Sequence, residues 1–204
     1  MKKDHHSPAK LTLTGALLLV LFSPRASAIE LLSEDFDSGS GGFTQATSGT
    51  SPLDAIYSGA AGTWSFPGDN SGPSNNTLTS PEITMPVTAG LRIRFDHRHS
   101  TEPIWDGVVL QISINGGAYI SAPRTAFTQT PPTIRLIGNH DFRGDDGFHY
   151  RSPGNDAGAF ITSIAEFGRA LAGDTIRIRF SGGWDLNTIG PGVTWVLDRV
   201  TIET

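Results

Sequence analysis

Apolar and polar residues alternate along several short runs of this chain. Leu91-Arg92-Ile93-Arg94-Phe95 sets three apolar side chains on one face and two arginines on the other, and Ile176-Arg177-Ile178-Arg179-Phe180 repeats the arrangement. A period of two is that of a β-strand with one face buried and one solvated. Val108, Leu110, Ile112 and Ile114 likewise share a face, opposite Gln111, Ser113 and Asn115. Strands are predicted near 30–37, 63–66, 77–84, 90–99, 107–114, 118–121, 133–138, 158–165, 173–181 and 193–203, separated by clusters of Gly, Pro, Asn, Asp and Ser. A helical period is sustained nowhere, apart from a turn near Ser163 to Leu171. About ten strands in one domain imply an all-β fold of two packed antiparallel sheets, a β-sandwich of jelly-roll or concanavalin-like type. Two long segments, 38–62 and 139–157, are rich in Gly, Ser and Asp and read as loops that serve as binding surface or stay locally disordered.

The N-terminus changes how the rest is read. Lys2, Lys3 and Lys10 precede an apolar stretch from Leu11 to Phe22, and Ala26-Ser27-Ala28 follows. This is the layout of a secretory signal peptide, with cleavage expected after Ala28. The apolar stretch is about a dozen residues, short of the roughly 20 that cross a bilayer as a helix, so no membrane span is expected after cleavage. The expected mature domain, Ile29 to Thr204, has 176 residues, enough for one sizeable core, and is placed outside the cell or in the periplasm. It carries a formal charge of -8, against -5 for the whole chain, and its only basic side chains besides histidine are arginines. An acidic domain without a basic cluster is a poor partner for nucleic acid. Cysteine is absent, so neither disulfides nor thiolate metal sites can stabilise it; stability must come from the core, aided by any bound metal.

Strand parity exposes candidate metal chemistry. With Phe36 in the core, Glu34 falls on the inward face; Val196, Val200 and Ile202 similarly place Asp198 inward. A carboxylate directed at apolar surroundings is costly unless satisfied. If the first and last strands are neighbours, one hard cation satisfies both acids, calcium fitting best, with Asp37 and backbone carbonyls completing the shell; otherwise an arginine or backbone amides do so. His97-Arg98-His99 continues the inward face of the Leu91 strand, and Glu102 and Asp106 follow. A His-x-His pair followed by an acid can bind a transition metal. The spacing nonetheless departs from the first cupin motif, and no histidine lies between Gly182 and Leu197 to supply a second.

The common hydrolase signatures are absent: there is no Gly-x-Ser-x-Gly elbow, no His-Glu-x-x-His helix and no cysteine nucleophile. Glu102 and Asp106 are the pair that would serve a small secreted glycosidase. Trp64, Trp105 and Trp184 are read either as exposed rings that stack on sugars or as core tryptophans. Asn75-Asn76-Thr77 is a glycosylation acceptor sequence.

A family resemblance joins these pieces. Leu78-Thr79-Ser80-Pro81-Glu82-Ile83, Leu91 to His97, Glu102, Asp106-Gly107 and Ile112-Ser113-Ile114-Asn115-Gly116-Gly117 resemble, in order, the motifs of MAM-like jelly-roll modules of bacterial secreted proteins. Ala172 to Phe180, Asp185, Trp195-Val196-Leu197-Asp198-Arg199-Val200 and the opening Glu34-Asp35-Phe36-Asp37 extend the resemblance over most of residues 30–203. Such modules accompany immune-inhibitor-A-type metallopeptidases and occur in adhesin-type surface proteins. The resemblance implies a jelly roll, calcium bound by acids near the first and last strands (Glu34, Asp37, Asp198), and binding or adhesion rather than proteolysis. Arg199 stands where a second Asp is usual, which removes one ligand. The expected function is that of a non-catalytic module recognising an extracellular glycan or protein, with Trp105, Asp106, His99 and Glu102 as the ligand-contacting residues.

Overall fold

The computed structural model describes residues 27–50, 52–68, 72–186 and 194–204. The segment expected to direct export lies outside them apart from Ser27 and Ala28. Among the described residues no helix is long and apolar enough to cross a membrane.

The strands are β1 (Glu30–Glu34), β2 (Thr44–Gly49), β3 (Ile56–Ser58), β4 (Thr63–Pro67), β5 (Ser74–Thr79), β6 (Ile83–Thr84), β7 (Ala89–Ser100) and β8 (Gly107–Ile114). They continue with β9 (Ile120–Ser121), β10 (Phe127–Gln129), β11 (Ile134–Arg135), β12 (Asp146–Gly147), β13 (Ile161–Ala170), β14 (Thr175–Trp184) and β15 (Thr194–Glu203). One sheet runs β10-β13-β7-β15-β4-β3, with β1 beside the second half of β15; the other runs β2-β5-β14-β8-β9, with β6 taking over from β5 along β14. β11 and β12 form a separate ribbon. All these pairings are antiparallel. The long strands β5, β7, β8, β13, β14 and β15 alternate between the sheets, which is the winding of a jelly roll.

The alternating runs do as their period dictates. Leu91, Ile93 and Phe95 from one sheet meet Ile176, Ile178 and Phe180 from the other in a single core, while Arg92 and Arg94 are exposed and Arg177 and Arg179 stand on the outer face. Phe95 is the hub, with ring centres of Phe180 at 5.1 Å, Phe148 at 5.6 Å and Trp195 at 6.4 Å. Edge-to-face aromatic packing of this kind adds about 0.5–1.5 kcal/mol per pair beyond area burial. Outward arginines pair with acids across neighbouring strands: Arg92 with Glu166 and Glu203, Arg177 with Glu82.

Four expectations change. The 38–62 segment holds β2 and β3; all six β2 residues are exposed at the sheet edge, so no alternation marks the strand. The turn expected at Ser163–Leu171 is instead strand β13, whose pattern is blurred by an irregularity between Phe167 and Arg169. The outward face of β8 is not solvated. Val109 packs with Leu136 and Phe142, while Gln111 binds Ser121 and Ser181, because the excursion after β8 folds back over the sheet. Finally, β1 ends at Glu34, and Phe36 reaches the core from a left-handed backbone (φ 59°).

Candidate functional site

The segment joining β7 to β8 carries the densest chemistry, and backbone and histidine contacts hold it in place. Thr101 N–H donates to the Tyr150 carbonyl at 2.8 Å, Tyr150 N–H returns to Thr101 Oγ1 at 2.9 Å, and Thr101 Oγ1 donates to the Asp106 carbonyl at 3.1 Å. Ile104 sits at φ 66°, a conformation that a β-branched residue adopts only under constraint, at a cost on the order of 1–3 kcal/mol. The constraint is visible: its N–H donates to His149 Nδ1 at 3.2 Å, and its carbonyl accepts from Ile137 N–H at 2.9 Å. With Nδ1 accepting, His149 carries its proton on Nε2 and donates to Thr133 Oγ1 at 2.8 Å. This kink turns Trp105 to solvent, 41% exposed, and Asp106 inward, fully buried.

Asp106 does not stand alone. Its Oδ1 accepts from Asp185 N–H at 2.9 Å, tying the start of β8 to the end of β14. Glu102, Asp106 and Asp185 bring one carboxylate oxygen each to within 4.8 Å of one another, and among the described residues this is the set of three that could hold a metal ion. Burial raises the Glu102 carboxyl above its ordinary value, and the negative charge of Asp185 adds to the effect. The charge of Asp185 therefore opposes ionisation of Glu102, with the carboxylate of Asp106 beside both. An all-oxygen set under that mutual repulsion suits a hard cation such as calcium better than a transition metal.

His140 braces the rim. Its Nδ1 accepts from Phe142 N–H at 3.2 Å, so Nε2 carries the proton and donates to the Trp105 carbonyl at 2.8 Å. Glu102, Trp105, Asn139, Asp185 and Leu186 line a recess of about 210 Å³. Two glycines make room. A Cβ on Gly183 would lie 2.4 Å from His140 Nδ1, and one on Gly138 2.1 Å from the Trp105 carbonyl oxygen.

The other expected ligands are arranged differently. His99 is not joined to the acids; it lines a mostly apolar pocket of about 290 Å³ with Pro131, Phe148, His149 and Ile161. His97 and His99 are stacked, 5.4 Å between ring centres, and both are buried. Ser163 Oγ donates to the Thr130 carbonyl at 2.8 Å, so the 2.8 Å contact between His97 Nε2 and Ser163 Oγ has the imidazole as donor, leaving Nδ1 as the bare nitrogen. The Nδ1 atoms of His97 and His99 have no hydrogen-bond partner. Burial holds both rings neutral, with His99 lowered to about 4. Neither histidine belongs to a set of three ligating groups among the described residues.

At the chain ends, Glu34 lies opposite Val200, on the side of the apolar row. Asp198 does not join that row. A bulge between Leu197 and Arg199 shifts the parity, so the inward residues are Trp195, Leu197, Val200 and Ile202. Counting by twos across the bulge misplaces the acid. Burial raises the Asp198 carboxyl, nearby Arg199 offsets this in part, and Asp96, Asp37 and Asp35 raise it further. Asp198 thus faces Asp35 and Asp37, while the Glu34 side chain lies against Gly41.

Trp64 and Trp184 are core residues, and Trp184 Nε1 donates to Asn76 Oδ1 at 3.1 Å; of the three candidate sugar-stacking rings only Trp105 is exposed. Asn75 is buried, donating from Nδ2 to Asp141 Oδ2 at 2.8 Å, so its amide is not presented as a glycosylation acceptor. Asp185 was visible in the sequence only through its match to the family's acid. Asp106 and Asp185 are 79 residues apart, and only the pairing of β8 with β14 makes them neighbours. Nothing in the sequence singled out His140.

No model of a known protein family matches the chain, and no curated protein matches it. Solved structures with a similar chain path include CBM35 from Cellvibrio japonicus Abf62, at 12% identity over 86% of this chain and 92% of that one, with a TM-score of 0.36. A family 35 carbohydrate binding module from Clostridium thermocellum aligns at 9% identity over 87% and 98% of the two chains, with a TM-score of 0.32.

Proposed function

We propose that this chain is a secreted, non-catalytic binding module of MAM-like type that recognises a glycan, with calcium fixing the loop that presents Trp105. The observation that carries this reading is the convergence of Glu102, Asp106 and Asp185 beside an exposed tryptophan in one recess. A cation held by the three carboxylates would neutralise their repulsion and lock the β7–β8 crossing to the end of β14. Trp105 then offers a flat apolar face at the rim, which stacks on the C–H face of a pyranose ring. Export rests on the signal-like N-terminal segment.

A small glycosidase using Glu102 and Asp106 is the competing reading. Against it, Asp106 is fully buried and its Oδ1 is occupied by the Asp185 amide, which leaves little room for a sugar between the two carboxyls. A glycan array run with calcium and with EDTA, alongside hydrolase screening of the same preparation, separates the two. Calcium-dependent glycan binding that is lost in Trp105→Ala supports the module; hydrolysis abolished by Glu102→Gln sinks it.

A further inference from the structure

The outer face of the β2-β5-β14-β8-β9 sheet holds a recess of about 390 Å³ that shares no lining residue with the Trp105 recess. Gln45, Thr77, Thr79, Tyr119, Arg177 and Arg179 contribute to its lining. The two arginines come from the alternation of β14, which sends Ile176, Ile178 and Phe180 to the core and leaves every second side chain outside. Outward arginines on an acidic protein are expected to pair with carboxylates. Arg177 does so, with Nη2 3.3 Å from Glu82 Oε2.

Arg179 does not. Among the described residues it forms no ion pair, yet it is held from two directions. Its guanidinium carbon lies 3.5 Å from the centre of the Tyr119 ring, and its Nε donates to Thr79 Oγ1 at 3.1 Å. A stacked guanidinium anchored through Nε has lost most of its rotamer freedom while keeping its terminal N–H groups for a planar acceptor. Fixing a long cationic side chain has an entropic cost, and among the described residues no carboxylate offsets it. The rest of the lining is mostly hydroxyl and amide, from Thr44, Gln45, Thr77 and Thr79; its one carboxylate, Glu82, is paired with Arg177, and Ala46 and Pro81 add small apolar surfaces.

We propose that this recess binds an acidic saccharide, the carboxylate of a hexuronate unit pairing with Arg179 and the ring hydroxyls meeting the threonine and glutamine side chains. Carboxylate and guanidinium match as planar bidentate partners, which a neutral sugar cannot reproduce. A chain carrying net negative charge would otherwise repel such a ligand, so a fixed cation in a concave polar surface is the feature that selects it. The site is separate from the carboxylate cluster and needs no metal.

Calorimetric titration of the chain in EDTA with oligogalacturonate, oligomannuronate, oligoguluronate and hyaluronan fragments tests this. At least one is expected to bind, with affinity falling tenfold or more when the same oligosaccharide is methyl-esterified, and similarly in Arg179→Gln and in Tyr119→Leu. Trp105→Ala is expected to leave this binding intact, which separates the recess from the Trp105 site. Two variants guard against misfolding, and each is checked by its melting temperature. No binding by any of the four probes, equal affinity for the ester, binding unchanged in both variants, or a stronger response to polyglutamate would overturn the proposal.

Discussion

His140 Nε2 lies 2.8 Å from the carbonyl oxygen of Trp105, so the one exposed tryptophan of the candidate site is seated on a half-buried imidazole from a loop 35 residues further on. The ring fits only because Gly183 and Gly138 leave space beside it. Replacing His140 by Ala should free the Trp105 backbone and weaken calcium-dependent glycan binding by roughly tenfold. The cost in stability should be only about 1 kcal/mol, that of a net hydrogen bond. Gly183→Ala attacks the same seat by pushing a methyl group against the ring. Parallel loss of binding in the two variants, measured on the array-identified glycan with melting temperatures alongside, supports the seat; full binding in both refutes it.

Calcium should raise the melting temperature, and the two acidic clusters predict opposite responses to single neutralisations. At the β7–β8 loop, Asp185→Asn removes a ligand and should abolish most of the calcium-induced shift. At the chain ends, Asp198 is flanked by Asp96, Asp37 and Asp35, so Asp198→Asn relieves repulsion and should raise the melting temperature of EDTA-treated protein. If Glu34, Asp37 and Asp198 also hold calcium, Asp198→Asn should lower it in calcium. Differential scanning calorimetry of the two variants with calcium and with EDTA reads all four cases. An Asp185→Asn protein with an undiminished calcium shift would move the ion away from Glu102 and Asp106.

Trp105 and Trp184 should behave as opposites. Trp105→Ala removes an exposed ring, so binding should fall at least tenfold while stability changes by about 0.5 kcal/mol. Trp184→Phe removes a buried indole and orphans Asn76 Oδ1, costing about 1–3 kcal/mol, and should leave binding unchanged. Chemical denaturation and titration of both variants check the contrast.

How much of this was legible beforehand follows physical lines. Alternation along β7 and β14 named the core residues Leu91, Ile93, Phe95, Ile176, Ile178 and Phe180, because period two survives wherever one face is buried and the strand is regular. It failed at Asp198, where one extra residue in a bulge reverses the parity of all that precedes it. β2 carries no apolar row to read, being exposed along its whole length. Glu102, Trp105 and Asp106 could be singled out together because a single loop carries them. Asp185 and His140 come from other elements, and their convergence depends on strand pairing that no local pattern encodes.

Two buried histidines, His97 and His99, and two half-buried ones, His140 and His149, make stability depend on pH in a definite direction. His97, His99, His140 and His149 are all lowered from about 6.5 chiefly by burial, His99 to about 4. Groups that bind protons more weakly when folded leave the unfolded chain with the larger proton uptake, so stability rises with pH across that interval. The contribution is complete above about pH 6.5 and is lost as pH falls toward 4, each fully buried histidine adding a slope of up to about 1.4 kcal/mol per pH unit. Glu102 and Asp198 act oppositely, since a raised carboxyl favours the folded state as it protonates. Urea unfolding of the EDTA-treated protein from pH 7 to pH 4.5 should therefore show falling stability, and His99→Phe should flatten the decline by close to one proton. A decline of the same slope in His99→Phe would show that the imidazole titrates alike in both states, and the buried pair would then be no source of acid sensitivity.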